Sequence, residues 1–311
     1  MNPQVAQLIE MLAALQRDGG PPLWEMAPQD ARASADSMIG ALFNDGGPVM
    51  AETRDIEIPG RRGPIAARLS TPRGVDPESP GLLYLHGGGW VIGSPATHDR
   101  LTRELAAAIG ARAVSLDYAL APEHPYPAGL DDCVDAARWL GKHAAEIGID
   151  PARLVIGGDS AGGNLAAAAL LRLKAEGGPA FRAAIYLYGA FLLSLSTPSM
   201  QAWGDRDVIL SIKVMEWFSR LYLGEAGDVT HPHAAPIHGD LRGLPPSVLV
   251  VGTLDPLLSD SELFAATLAE AGVSAELHVF DDAPHAFAQI FMLDMAAEAI
   301  DRVATFARAR L

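Results

Sequence analysis

A serine stands in the run Gly158-Asp159-Ser160-Ala161-Gly162, between an apolar segment, Leu154–Ile156, and a stretch from Ala161 that reads as helix. A serine hydroxyl is a weak nucleophile unless a sharp turn presents it beside a base. Small flanking residues permit such a turn, and G-x-S-x-G between a strand and a helix is the setting in which a nucleophilic serine is exposed. The helix N-terminus behind it favours developing negative charge. A glycine-rich turn that only packs tightly would share the motif, and the position after a buried strand favours the chemical reading. A dinucleotide-binding loop does not fit, because Gly157-Gly158-Asp159-Ser160-Ala161-Gly162 is not G-x-G-x-x-G in frame and lies mid-chain.

The rest of an acyl-transfer apparatus is found in the expected chain order. His86-Gly87-Gly88-Gly89-Trp90 follows the apolar run Leu82–Leu85. Glycines let backbone N–H groups point at a tetrahedral oxyanion without obstruction, and an HGGG-type loop after a strand suits that task. A base should follow the serine late in the chain. Of nine histidines, His285 is the best placed, on the loop after Glu276–Phe280. The acid should leave the preceding strand, Val248–Val251, where Asp255 stands in Gly252-Thr253-Leu254-Asp255-Pro256. A carboxylate there fixes the imidazole tautomer and stabilises the imidazolium. Asp260 is the rival, but it opens a helical stretch and reads as an N-cap or first-turn acid. Asp281 and Asp282 are too close to His285 in sequence to reach around its ring. His231, His233 and His238 cluster in a proline-bearing loop without metal-ligand spacing, so no metal is expected. Trp24, Trp203, Trp217, Phe191 and Phe218 can line an apolar pocket, although packing accounts for them equally well.

These residues need a scaffold that delivers strand ends to one place. Short apolar runs at Leu82–Leu85, Ala113–Leu116, Leu154–Ile156, Ala183–Leu187, Val248–Val251 and Glu276–Phe280 alternate with helical stretches at Arg100–Ile109, Leu130–Ile147, Ala161–Glu176, Asp260–Ala271 and Met292–Arg310. Buried strands joined by helices imply parallel crossovers, an α/β fold. Arg54–Pro59 and Pro64–Ser70, around Gly60-Arg61-Arg62-Gly63, suggest an antiparallel hairpin before it. Residues 190–245 are too long for an ordinary crossover, and Ser211–Leu223 inside them reads as an amphipathic helix. Such an insertion beyond a strand end suits a lid. Residues 1–50 read as helical, broken at Gly19-Gly20-Pro21-Pro22. The expected organisation is a helical cap segment at 1–50 and a catalytic domain at 51–311 with a cap insertion at about 190–230.

Bulk properties agree. The 311 residues are 49% hydrophobic with a formal net charge of −15, which disfavours phosphate backbones and anionic lipid as partners. Cys133 is the only cysteine, so no intrachain disulfide forms; within Leu130–Leu140 it reads as a small buried apolar residue. The N-terminus has no early Lys or Arg, and its apolar residues fall at helical spacing, so it reads as an amphipathic helix rather than a signal peptide. No run spans a bilayer, and a cytoplasmic location is expected.

From about residue 50 onward the chain resembles bacterial esterases of the hormone-sensitive-lipase-like family, in the α/β-hydrolase superfamily. The resemblance rests on His86–Trp90, Asp117-Tyr118-Ala119-Leu120-Ala121-Pro122-Glu123-His124-Pro125, Gly158–Asn164, Gly243-Leu244-Pro245-Pro246, Asp255-Pro256-Leu257 and His285. It implies a mostly parallel central sheet with a helical cap, and Ser160, Asp255 and His285 as a triad. It also implies oxyanion N–H groups from Gly88, Gly89 and Ala161, no cofactor, short acyl esters as substrates and frequent homodimers. Trp90, Asp159, Phe191, Trp217 and Phe287 are the expected substrate contacts. Three positions depart from the usual pattern: Leu258-Ser259-Asp260-Ser261 replaces a charged pair ending Asp-Glu. Gly189-Ala190-Phe191 stands where a proline and often an aspartate are usual, and Ala286 replaces Gly or Cys. An amidase, lactonase or deacetylase would use the same triad, because pocket shape chooses the leaving group. A non-catalytic ligand receptor on this fold would have lost a catalytic group, and this sequence keeps all three.

Overall fold

Val, Ile, Leu and Ala runs bounded by Gly and Pro fold into eight strands: β1 (Glu52–Gly60), β2 (Gly63–Thr71), β3 (Ser79–Leu85), β4 (Arg112–Leu116), β5 (Ile149–Asp159), β6 (Ala183–Leu187), β7 (Ser247–Gly252) and β8 (Ala275–Phe280). The computed structural model describes residues 1–18, 20–206, 209–224 and 227–311; Gly19 of the expected helix break, and 207–208 and 225–226 of the insertion, lie outside the described residues. The strands form one sheet in the order β1-β2-β4-β3-β5-β6-β7-β8. β1 and β2 are an antiparallel hairpin turning at Arg61-Arg62, β2 is antiparallel to β4, and every later pair is parallel. All residues of β6 and β7 are buried, as expected of parallel strands covered on both faces.

The helices are α1 (Pro3–Asp18), α2 (Pro28–Phe43), α3 (Asp99–Ile109), α4 (Ala128–His143), α5 (Ala161–Glu176), α6 (Pro198–Trp203), α7 (Ile212–Leu223), α8 (Leu258–Glu270) and α9 (Asp294–Arg308). The stretch read as one helix to Ile147 divides: α4 ends at His143 and a 3₁₀ turn continues to Ile147, closed by Gly148 in the left-handed region. α5 is buried from Ala161 to Leu173, and its run Ala166–Ala169 keeps side chains small where it is enclosed by the sheet and α4. Cys133 is fully buried in α4.

The connection from β6 to β7 carries α6 and α7. Its root is laced to the start of α8: Ser199 Oγ donates to the Pro256 carbonyl (2.7 Å), and the Ser259 N–H donates to Ser199 Oγ (3.0 Å). The far end of α7 is fixed by Tyr222, whose ring stacks on Trp90 at 4.5 Å and whose carbonyl accepts from the Tyr126 N–H. The N-terminal helices reach the same side. Arg32 of α2 donates to the carbonyls of Val91 and Ala121 and pairs with Glu123 at 2.6 Å, and Lys213 of α7 lies over the Trp24 ring. No helix among the described residues is long and apolar enough to cross a membrane.

Candidate active site

Parallel strands of one sheet end together, and the loops beyond their carboxyl ends form a natural crevice. β3 delivers His86–Trp90 there, β5 delivers Ser160, β7 delivers Asp255 and β8 delivers His285. Ser160 lies between β5 and α5 with φ 51 and ψ −117, a backbone state that costs roughly 1–3 kcal/mol for a non-glycine residue. Its N–H is tied to the Leu187 carbonyl at 2.8 Å. The glycines of the motif answer a steric demand. A Cβ on Gly162 would stand 1.9 Å from the Leu85 carbonyl oxygen, and one on Gly158 would stand 2.3 Å from the same atom.

His285 Nε2 lies 3.0 Å from Ser160 Oγ. Its Nδ1 lies 3.0 and 2.9 Å from the two carboxylate oxygens of Asp255, which is fully buried. With Nδ1–H donating to the carboxylate, Nε2 is the acceptor facing the serine hydroxyl. Asp255 Oδ1 also accepts from the Leu257 N–H at 2.8 Å, so the carboxylate is held from both sides. Asp260 does something else. It lies in the first turn of α8 but caps nothing there. Its Oδ1 accepts from the Phe191 and Leu192 N–H groups at 2.9 and 2.8 Å, pinning the segment that leaves β6. Burial pushes its carboxyl up to about 7, with the Asp255 charge adding to the effect.

The oxyanion loop has the donors such chemistry needs. Gly88 and Gly89 have φ of 117 and 58, values that favour glycine. Among the described residues their N–H groups meet no protein acceptor, and the Ala161 N–H is an unpaired donor of the first turn of α5. Hollows of about 320 and 580 Å³ elsewhere on the surface are lined by Arg62, Asp117 and Asp132 and by His278, Asp294 and Arg302; neither includes Ser160 or His285. Side-chain geometry, not hollow size, marks this site.

Residues 82–289 match the family model described as alpha/beta hydrolase fold. The chain belongs to the α/β-hydrolase family. Within it, the chain is 40% identical over 238 residues to an esterase, LipI, of Mycobacterium tuberculosis, covering 74% of each. It is 35% identical over 227 residues to an ethyl acetate hydrolase of Pseudomonas putida, covering 72% of this chain and 71% of that one. Among solved structures, an α/β hydrolase enzyme from the metagenome of Lake Arreo superposes with a TM-score of 0.95 at 32% identity, covering 99% of this chain and 98% of its own. A Pyrobaculum calidifontis esterase superposes at 0.89 with 33% identity, covering 99% and 98%. These relatives carry the esterase resemblance of the hormone-sensitive-lipase-like type.

Several of the expected substrate contacts of this hydrolase lie elsewhere. Asp159, read as a pocket residue, turns away beneath the oxyanion loop, where Tyr84, Gly87 and His98 surround its carboxylate. Phe191 is fully buried, stacked on Phe264 at 4.0 Å and edge-on to Tyr186. Phe287 is fully buried against Tyr188 and Phe280. Both phenylalanine rings are taken up by packing against other aromatic side chains. Trp90 is buried with φ 62 under Tyr222, and Trp217 is buried beside Phe218. Of two further residues near the chemistry, Phe218 was named only as a general pocket candidate and Tyr188 was not named. Phe218 lies directly on the oxyanion loop, since a Cβ on Gly89 would stand 2.1–2.4 Å from its ring atoms. Tyr188 lies edge-on to His285, ring centroids 5.0 Å apart. Helical spacing placed Phe218 on α7, but nothing local says which residue faces Gly89. His231 Nδ1 lies 2.9 Å from the Tyr126 hydroxyl and 3.1 Å from the His233 N–H, and the two imidazoles lie edge-on at 5.2 Å; among the described residues no group of three or more His, Cys, Asp or Glu is placed to hold a metal ion.

Proposed function

We propose that the protein is a serine carboxylic ester hydrolase in which Ser160 is the nucleophile, His285 the base and Asp255 the acid that orients it. The continuous chain from Ser160 Oγ through the imidazole to both oxygens of Asp255 carries this reading. Ser160 Oγ attacks the ester carbonyl while its proton passes to His285 Nε2. The imidazolium so formed faces Asp255, and the oxyanion is met by the N–H groups of Gly88, Gly89 and Ala161. His285 then gives its proton to the leaving alkoxide, leaving an acyl-Ser160. Water, deprotonated by His285, repeats the sequence and releases the acid.

The substrates are short or compact acyl esters, enclosed by a cap made from residues 1–50 and about 190–230. Support for this comes from Phe218, which covers Gly89 and narrows the approach to Ser160, and from the Trp90–Tyr222 stack that holds α7 over the loop. Each methylene accommodated contributes up to about 0.8 kcal/mol until a wall is met. A p-nitrophenyl ester series from acetate to palmitate tests the reading, together with a fluorophosphonate label. Ser160→Ala should lower kcat by about 10⁵-fold or more and abolish labelling, because triad members act as a unit. Full activity or undiminished labelling in that variant would refute it.

A further inference from the structure

We propose that Asp159 and His98 form a buried ion pair that holds the oxyanion loop in place against the nucleophile turn, making both of them positioning residues for the ester hydrolysis inferred above, on which this proposal rests. Asp159 is the last residue of β5, immediately before Ser160, and its side chain is 3% exposed. Its Oδ1 accepts from the Tyr84 hydroxyl (2.6 Å) and from the Gly87 N–H (2.9 Å). Its Oδ2 faces His98 Nε2 at 3.3 Å, and that imidazole is equally covered. One carboxylate thus joins the nucleophile strand to the loop that carries Gly88 and Gly89.

The loop needs such a hold. Three successive glycines have no side chains to pack and lose more conformational freedom than any other residue when fixed. The approach is close: a Cβ on Gly87 would stand 2.3 Å from Asp159 Oδ2. The same peptide unit is held on its other side by the Tyr118 hydroxyl, which donates to the His86 carbonyl at 2.7 Å, and the His86 ring stacks on Tyr118.

The charge of Asp159 must be met. A lone buried carboxylate beside the reaction centre would oppose the negative charge that builds on the oxyanion. Every other titratable group described around it is neutral. Burial pushes the Tyr84, Tyr118 and Tyr188 phenols up, and burial together with His98 lowers His86 to about 3. His98 is the group that can carry the balancing charge. Its Nδ1 lies 2.9 Å from Thr97 Oγ1, a hydroxyl that also reaches the Ser94 carbonyl at 2.9 Å. With that hydroxyl turned to the carbonyl, its oxygen is free to accept from Nδ1, while Nε2 faces a carboxylate that only accepts. Both ring nitrogens then face acceptors, the arrangement that suits the charged ring proposed here. Burial pushes the Asp159 carboxyl up, but His98 and Tyr84 outweigh it and leave it below the ordinary range.

The test uses kcat and KM for p-nitrophenyl acetate, with thermal unfolding as the check on folding. His98→Gln leaves Asp159 charged and unmatched, and should lower kcat by about 30-fold or more with KM within about threefold, the pattern of an interaction made in the transition state. Asp159→Asn keeps an oxygen for Gly87 and Tyr84 and should stay within about tenfold; added to His98→Gln it should restore kcat at least about tenfold. A His98→Gln kcat within threefold of the parent, or a double variant showing no rescue, overturns the pairing. If His98→Gln does not fold, Asp159→Ala decides: it must lose about 100-fold in kcat where Asp159→Asn does not, and equal effects overturn the proposal. A parent protein without Ser160-dependent turnover would instead refute the hydrolase reading itself.

Discussion

Replacing Asp260 with asparagine separates the two aspartates that follow β7 and does so through stability as well as rate. Asp260 is 1% exposed, its Oδ1 holds two N–H groups and its Oδ2 has no partner. Its carboxyl is pushed to about 7 by burial, against an ordinary value of 3.8. The sign follows from linkage. Between those two pH values the folded chain keeps the proton while the unfolded chain releases it, so stability falls as pH rises, by up to about 1.4 kcal/mol per pH unit. The contribution is fully present below the unfolded value and is lost by the time the pH has passed the folded one. Over the interval from pH 5 to pH 7 the loss comes to about 2 kcal/mol, because the slope flattens as the folded group itself begins to ionise. Asparagine keeps the accepting oxygen and cannot ionise, so the variant lacks this slope. It introduces an unsatisfied amide N–H₂ that costs about 1–3 kcal/mol at every pH.

Relative to the parent, Asp260→Asn should therefore be destabilised at pH 5 and near equal or more stable at pH 8. The two differences should lie about 2–3 kcal/mol apart. Chemical denaturation at pH 5, 6, 7 and 8 measures this. Ester turnover should remain within about tenfold of the parent throughout, because Asp260 does not touch His285. A stability difference that does not change with pH would refute the reasoning about its charge. A loss of turnover exceeding that of Asp255→Asn would overturn the assignment of roles.

The remaining predictions concern the chemistry and its walls. Asp255→Asn should lose roughly 10³- to 10⁴-fold in kcat while folding normally, by loss of the correct imidazole tautomer; activity near the parent's would contradict it. Gly89→Ala should lower kcat by about 10²-fold or more, through its positive φ and the collision with Phe218, and Phe218→Ala in the same chain should recover part of the loss. Phe218→Ala alone should raise the ratio of kcat/KM for bulky over acetyl esters by about tenfold, as expected for removing one apolar wall; an unchanged ratio would show that the wall lies elsewhere. Dialysis against a strong chelator should leave kcat/KM unchanged, and a loss restored by Zn²⁺ would reopen the question of the His231, His233 and His238 loop.

Legibility followed the range over which each interaction acts. The strands and helices were readable because burial on both faces forces continuous apolar runs and amphipathic helices force periodicity. Boundaries slipped where a backbone choice decided them: β5 begins at Ile149 rather than Leu154, and α4 passes into a 3₁₀ turn. Chemical candidates were nameable because a nucleophile turn and a glycine loop impose local steric demands, visible here as the Gly158 and Gly162 approaches to Leu85. The surroundings were not nameable. Whether Phe191 faces a substrate or Phe264 depends on a helix some 70 residues onward, and whether Phe218 or Trp217 meets Gly89 depends on the rotation of α7. Asp159 was misplaced for the same reason. Its neighbours in sequence are the nucleophile turn, but its carboxylate answers to Tyr84, Gly87 and His98.

Three buried aspartates stand within this site, and what opposes their desolvation divides their work. Burial alone disfavours ionisation at all three, so location cannot distinguish them. Asp159 meets the His98 ring, a phenol and a backbone N–H, which together hold its carboxyl below the ordinary range and make it usable as a fixed brace. Asp255 meets one imidazole with both its oxygens and one N–H besides, so in the proposed mechanism its charge is answered most fully when that imidazole takes up a proton from Ser160. Asp260 meets two N–H groups and no cation, leaving one oxygen unpartnered, and so it holds its proton toward neutral pH. In the proposed mechanism the His285 ring alone changes its charge during turnover. A carboxylate already matched by its neighbours gains less from the protonation of His285, and one that holds its own proton has no charge to offer it. On the reading proposed above, Asp255 is the aspartate whose counter-charge appears only when the reaction creates it, which is the electrostatic condition for assisting a general base.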